Sequence, residues 1–342
     1  MSDEPGQTSG HPGYTWGELL ASLVDDHGSL TAVAWKLIEH ASGDDVQSIE
    51  RALRRLRTRG QLDGGVWGQR VLRVFGPPKA IEDRLRWMGL YHSPFNDLPV
   101  SLCLDQLRIW DRPPVSASRA RVWVQLGLAS CALRERRYDD AAHHADLARA
   151  AQGPDPARLE LALLDGYVAS RRGLVDAIEP ALAAASHLMA SATFEPDDAA
   201  CFRARLVDQR AYQLNKAGDH AGALALFAAL PDVDVHPFAS YRRDAGRAYG
   251  LHRAGRRDDA IALAQRAIDH AGDGGYTRLR AMGLILLARI TGDSEPLARA
   301  RSIAARLADS ELAARADRVE ALREIGSGPN FDAPVAATLG RT

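Results

Sequence analysis

A cluster of arginines near the N-terminus is the strongest chemical signal in the chain. Residues 51–86 contain nine arginines, one lysine and three acidic residues, whereas residues 1–50 contain one lysine and nine acidic residues. The two windows carry +7 and −8, although the whole chain carries only −1. An arginine fork can neutralise a phosphate or hydrogen-bond the edge of a guanine. The basic window is therefore a candidate nucleic-acid contact.

This window begins with an amphipathic pattern between Asp45 and Arg59. Apolar residues recur at helical spacing, which predicts a helix with one buried stripe and a basic outer face. The outer face could also dock a protein or simply be solvated, with Asp44 and Glu50 pairing some of its arginines. The candidate DNA-contacting residues on this helix are Gln47, Ser48, Arg51, Arg54 and Arg55.

Three short helices and a hairpin are predicted for residues 16–76. The helices are expected at about 16–26, 30–41 and 45–59, and residues 61–76 are expected to form two short strands around an Asp-Gly-Gly turn. This order of elements resembles the winged helix-turn-helix family. The resemblance implies that the third helix reads DNA and that the hairpin is a wing, in which Arg70 and Arg73 contact phosphates.

The rest of the chain has a helical repeat. Four glycines end similar segments at intervals of 45, 37 and 37 residues, and small or aliphatic residues recur seven positions before and five positions after them. These are the places where paired helices approach closely, and the pattern resembles the tetratricopeptide (TPR) repeat. With further copies at 86–114 and 125–151, about six hairpins would form an α-solenoid over residues 77–322. The marker glycines are Gly173, Gly218, Gly255 and Gly292.

The TPR resemblance implies a concave groove that holds an extended peptide or a partner helix. Tyrosines recur one residue after the small position of three repeats, and amide, imidazole or cationic residues follow them. We expect rows of these side chains along the groove if the repeats are in register. In the alternative, the tyrosines pack between hairpins and the cations are solvated. The candidate groove residues are Tyr167, Arg171, Tyr212, Asn215, Lys216, Tyr249, His252 and Arg253.

Motifs for catalysis or metal binding are not found in the sequence. There is no glycine-rich phosphate loop, nucleophile elbow or zinc-protease helix. His143 and His144 are neighbours on a predicted helix and so face different directions. The three cysteines are too far apart in sequence to predict a disulfide framework or a zinc cluster. We therefore expect no enzymatic activity, no cofactor and no metal.

Neither a membrane span nor a secretory signal is predicted. No apolar stretch reaches the ~18 residues that a transmembrane helix needs, and the polar first 13 residues lack an apolar signal segment. The expected location is the cytoplasm. Residues 1–15 and 323–342 are expected to be a disordered tail and a mobile tail, respectively.

Together these features predict a mostly α-helical DNA-binding transcriptional regulator whose TPR-like groove senses a peptide or protein. The layout resembles peptide-responsive regulators that join a helix-turn-helix to TPR repeats. That resemblance implies a homodimer on double-stranded palindromic DNA, with a groove ligand that changes the placement of the two DNA-binding domains. The alternative is a non-enzymatic adaptor or scaffold that binds proteins and has no nucleic-acid role.

Overall fold

Helices account for nearly all regular structure in the described part of the chain. The computed structural model describes residues 13–40, 45–59 and 64–324. Within these ranges it contains seventeen α-helices, two short 3-10 turns and no β-strand, so the prediction of a mostly α-helical protein is confirmed. None of these helices combines the length and apolarity that a bilayer crossing requires. Most of the two predicted tails lies outside the described residues.

Four helices form an N-terminal unit, which we call the head. Thr15 and Glu18 form a capping box at the start of the first helix, and Ser29 caps the second. Gly28 separates these two helices with a φ of 86°, a backbone conformation that favours glycine. Apolar residues from all four helices share one buried core. The helices are α1 (Trp16–His27), α2 (Leu30–Ile38), α3 (Val46–Arg59) and α4 (Gly65–Val74).

The predicted hairpin at residues 61–76 is wrong, because α4 occupies most of this segment. Gly68 and Val71 are both buried and lie on one side of the helix. A Cβ atom at Gly68 would lie 2.7 Å from the ring of Trp16, and one at Gly64 would lie 2.2 Å from it. These glycines therefore allow a tryptophan to pack closely against α4, rather than forming the turn of a wing.

The remaining thirteen helices of the described chain form a second unit, which we call the body. A 3-10 turn at Pro94–Asp97 lies between its first two helices, and another at Val115–Ala117 precedes its third. Its helices are α5 (Lys79–Gly89), α6 (Val100–Trp110), α7 (Arg121–Arg134), α8 (Tyr138–Ala150), α9 (Asp155–Arg172), α10 (Val175–Ser191), α11 (Pro196–Lys216), α12 (His220–Ala228), α13 (Pro237–Arg253), α14 (Arg257–Asp273), α15 (Thr277–Thr291), α16 (Glu295–Leu307) and α17 (Ser310–Glu324).

The four marker glycines lie between consecutive helices of the body, as the repeat pattern predicts. Their φ angles of 73°, 86°, 77° and 81° are in the region that favours glycine. The residues seven positions before and five positions after them are buried where the paired helices meet. These residues are Gly166, Ala211, Ala248, Ile285, Ile178, Ala223, Ala260 and Leu297.

Six helices of the body close into a ring. Helices α7, α9, α11, α13, α15 and α17 each contact the next in this series, and α17 also contacts α7. Residues 122–134 of α7 are all buried, whereas α8 buries only one stripe of alanines. The segment between α5 and α6 enters this ring, where the backbone carbonyl of His92 accepts a hydrogen bond from Tyr276 at 3.0 Å. The interior of the ring is thus partly filled by the protein's own chain.

Candidate functional sites

The basic helix predicted at residues 45–59 is present as α3. Its apolar stripe packs into the core of the head, where Ile49, Leu53 and Leu56 are buried. The carboxylate of Asp45 accepts a hydrogen bond from the backbone N–H of Ser48 at 2.8 Å and so supports the helix start. Ser48 is half-buried, and the other DNA-contact candidates on this helix are exposed: Gln47, Arg51, Arg54 and Arg55.

Local pairing only partly neutralises this surface. Glu50 forms a 2.5 Å ion pair with Arg54, whose side chain is still 69% exposed. The Nε of Arg51 donates to the backbone oxygen of Gln47 at 3.3 Å. Arg55 has no ion-pair partner in the part of the chain that the structure describes. Because exposed ion pairs are weak and break readily, the outer face of α3 can present positive charge to a partner.

The two remaining DNA-contact candidates lie on α4, not on a wing. The guanidinium of Arg70 lies 4.6 Å from the centroid of the Trp67 ring, a cation–π geometry that covers the tryptophan. Arg73 is exposed in the last turn of the helix. A phosphate contact by either residue would therefore come from a helix.

Two groove candidates, Tyr167 and Arg171, contact the closing helix of the ring. The hydroxyl oxygen of Tyr167 accepts hydrogen bonds from Arg171 at 2.8 Å and from Arg315 of α17 at 3.0 Å. Arg171 also forms a 2.7 Å ion pair with Glu311 of α17. These two side chains face a neighbouring helix rather than the open groove that we expected.

The other groove candidates lie farther along the body. Tyr212 is 51% exposed and Lys216 is also exposed. A short polar chain joins Asn215 to Arg253, because His220 bonds the amide oxygen at 2.8 Å and the guanidinium at 2.7 Å.

Tyr249 and His252, both on α13, are half-buried. The guanidinium of Arg289 lies 4.9 Å from the centroid of the Tyr249 ring. Burial lowers the pKa of His252, and the positive charge of Arg289 adds to this effect. A neutral imidazole is therefore favoured at this position.

The interior of the ring contains an arginine cluster that sequence reasoning missed. Asp309 accepts from Arg134 at 2.9 Å and from Arg278 at 2.7 Å, and all three side chains are buried. Glu160 is bonded by both terminal nitrogens of Arg205, at 2.6 and 2.7 Å. Arg134 and Asp309 are 175 residues apart. No local spacing could have revealed this contact.

The arginines inside the ring lower the pKa values of an aspartate and a tyrosine. Burial would raise the pKa of Asp309, but Arg278 and Arg134 outweigh it and lower the pKa to about 2. Burial would likewise raise the pKa of Tyr91, but the surrounding arginines lower it to about 8. The shift at each residue reflects a concentration of guanidinium groups inside the ring.

Cys201 and His236 are close together but do not form an activated nucleophile. Cys201 lies 3.3 Å from a ring nitrogen of His236, yet burial strongly raises the thiol pKa and lowers that of the imidazole. A reactive thiolate needs the opposite shifts. His144 bonds the side-chain oxygen of Gln125 at 2.8 Å. Within the described ranges, no group of three or more His, Cys, Asp or Glu side chains is placed to hold a metal ion.

A scan against protein families finds none that matches this chain, and a search of curated proteins also finds no match.

Proposed function

We propose that the protein is a DNA-binding transcriptional regulator whose head contacts double-stranded DNA through α3. The observation that carries this proposal is the outer face of α3, where Arg51, Arg54 and Arg55 are exposed beside Gln47. An exposed helix of this kind fits the major groove, in which arginine recognises guanine and phosphate, and glutamine recognises adenine. Residues near the helix start would contact bases, and the arginines would fix the helix on the backbone.

In this proposal the body is a TPR-like array that senses a peptide or protein. The paired helices and their glycine turns support an array of this type. The head is joined to the body closely, because α4 ends at Val74 and α5 begins at Lys79. The ring of Tyr14 also stacks on Trp110 of α6, with centroids 6.2 Å apart. A change in the body would therefore alter the placement of the head, and a homodimer would set the spacing of two heads on a palindrome.

An adaptor without a nucleic-acid role is the second candidate. The observation that favours it is exposed apolar surface on the head, where Trp35 is 57% and Val66 is 65% exposed. Large exposed apolar side chains are common in protein interfaces. In this case the basic face of α3 would contact an acidic protein surface.

Fluorescence anisotropy separates the two candidates. We expect the purified protein to prefer a duplex from its own promoter over a random duplex, with affinity that falls steeply as salt rises, because bound arginines release counterions from DNA. The triple variant Arg51→Ala, Arg54→Ala, Arg55→Ala should abolish this preference. A matched triple variant, Arg158→Ala, Arg256→Ala, Arg299→Ala, removes the same charge from exposed positions of the body and should bind normally.

Two results would overturn the DNA-binding proposal. One is unchanged promoter affinity in the α3 triple variant, with the helical circular dichroism of both proteins intact. The other is no binding to either duplex at low salt, which would favour the adaptor.

A further inference from the structure

Tyr91 lies inside the ring among arginines from different helices. The guanidinium of Arg205 is 4.7 Å from the centroid of the Tyr91 ring, and those of Arg242 and Arg278 are 5.9 and 5.8 Å away. Its hydroxyl oxygen accepts hydrogen bonds from Arg278 at 2.7 Å and from Arg242 at 3.4 Å. These three arginines come from α11, α13 and α15. Tyr91 thus contacts arginines from three helices of the ring.

A second tyrosine repeats this arrangement. Tyr167 accepts from Arg171 and Arg315, so four arginines of the interior donate to tyrosine hydroxyl oxygens. A tyrosine hydroxyl group can also donate a hydrogen bond to a ligand. In addition, the buried Nε of Arg242 has no hydrogen-bond partner. Buried donors without an acceptor are uncommon in folded proteins. A bound ligand could supply the missing acceptor.

Positive charge exceeds negative charge around these two tyrosines. The carboxylates of Asp309 and Glu311 are each shared between two interior arginines, which are Arg134 and Arg278 for the first and Arg171 and Arg315 for the second. Arg205 and Arg242 have one carboxylate partner each, Glu160 and Asp208. Even with Asp97 included, six arginines face five carboxylates. A bound anion would neutralise the excess positive charge.

The six residues of this group differ in burial. Tyr91, Tyr167, Arg171 and Arg315 are all half-buried, whereas Arg242 and Arg278 behind them are buried. The half-buried members therefore carry two hydroxyls and two guanidiniums, and the buried members add two more guanidiniums. We call this set of six residues the chamber.

We propose that the chamber binds a small molecule carrying a phosphate group. Its donors come from four helices, α9, α13, α15 and α17, and from the segment after α5, so they approach from several directions. A planar carboxylate matches one arginine fork, whereas a tetrahedral phosphate offers three terminal oxygens to donors around it. The proposal goes beyond the proposed function, because Tyr167 and Arg171 face α17 rather than an open groove.

Isothermal titration of the full chain tests this proposal. Inorganic phosphate, phenyl phosphate and succinate are titrated separately at constant ionic strength. We expect both phosphates to bind and succinate to bind at least about tenfold more weakly. Tyr91→Phe removes one donor but keeps the ring, and should weaken phosphate binding about tenfold. Arg315→Gln should remove measurable binding, while the exposed control Arg256→Gln should leave it unchanged.

Three results would overturn the inference: no phosphate binding by the wild type, equal affinity for succinate, or unchanged affinity in both Tyr91→Phe and Arg315→Gln. Thermal unfolding of each variant without ligand shows whether it folds, and Tyr91→Phe supplies the test if Arg315→Gln does not. DNA anisotropy on the same samples in phosphate-free buffer separates the two proposals. Salt-sensitive DNA binding without phosphate binding refutes only the chamber, and phosphate binding without DNA binding refutes only the DNA contact.

Discussion

The outer face of α3 in the head and the interior of the ring in the body both use arginine, but they place it in opposite environments. In the head, the Arg54 side chain is 69% exposed and pairs only with a neighbour one helical turn away. In the body, the Arg134 side chain is 1% exposed and pairs with a carboxylate 175 residues away. The first arrangement leaves the charge available to a partner, whereas the second joins distant parts of the fold.

This difference assigns the two groups of arginines to different tasks. An exposed guanidinium loses little hydration on folding, so its removal has little effect on stability and a direct effect on any anion that it binds. A buried guanidinium has lost its hydration and depends on its partner for compensation. Asp309 and Glu311, which flank the start of α17, supply that compensation where the ring closes. Ring closure is therefore the electrostatically sensitive part of the fold.

The largest effect should come from breaking the buried pairs. Asp309→Asn removes the negative charge shared by Arg134 and Arg278, which leaves two buried guanidiniums without a carboxylate. We expect the free energy of unfolding in urea to fall by about 3–5 kcal/mol. Asp317→Asn is the matched control, because Asp317 pairs with Arg301 at an exposed site, and it should change stability by less than about 0.5 kcal/mol. Equal effects of the two variants would contradict the comparison.

The same pair predicts how stability depends on pH. The pKa of Asp309 is lowered to about 2 in the folded protein, below its value in the unfolded chain. The stabilisation is therefore fully present above about pH 4 and is lost as the pH falls through the folded pKa. We expect the stability difference between wild type and Asp309→Asn to shrink by about 2–3 kcal/mol between pH 5 and pH 2, measured by urea unfolding at each pH. A difference that stays constant would show that the charge is not the cause.

A smaller effect is expected at the hairpin turns of the body. Arg136, between α7 and α8, has a φ of 63°, the region that glycines occupy in four later turns. Its ion pair with Glu311 is long, at 3.8 Å, and the Arg136 side chain is 50% exposed. Arg136→Gly should therefore raise the unfolding free energy by about 0.5–1 kcal/mol by relieving backbone strain. Gly173→Ala introduces that strain in open space and should lower stability by about 1 kcal/mol.

These turns show which parts of the fold were readable from the sequence. A turn with a left-handed residue favours glycine, and tightly paired helices need small residues where they meet. Both preferences recur at regular intervals along the sequence, so they can be recognised there as a repeat. Gly64 and Gly65 produced the opposite result. They suggested a hairpin turn, whereas Gly64 packs closely against Trp16 and Gly65 is the first residue of α4. A glycine in the sequence indicates that a Cβ atom is disfavoured at that position. It does not indicate whether the cause is a positive φ angle or a side chain packed close to the backbone.

Of the candidate sites, one could be predicted from the sequence and another could not. The basic face of α3 was predictable because a helix places residues three and four apart on one side. The chamber was not, because Tyr91 and its arginines come from segments far apart in sequence and meet only when the ring closes. Tyr167 and Arg171 were found by their repeat position, but nothing in their spacing indicated that α17 would cover them.

The smallest change in stability, and the sharpest test of the head, is expected from Arg55→Ala. Arg55 is exposed and has no ion-pair partner among the described residues, and alanine is at least as favourable in a helix. Urea unfolding should therefore give a free energy within about 0.5 kcal/mol of the wild type. If Arg55 contacts a DNA phosphate, the same variant should bind every duplex more weakly and reduce the salt slope by about one. If Arg55 contacts a guanine, the variant should instead lose the preference for one base pair. Unchanged binding to all duplexes would place Arg55 outside the DNA interface.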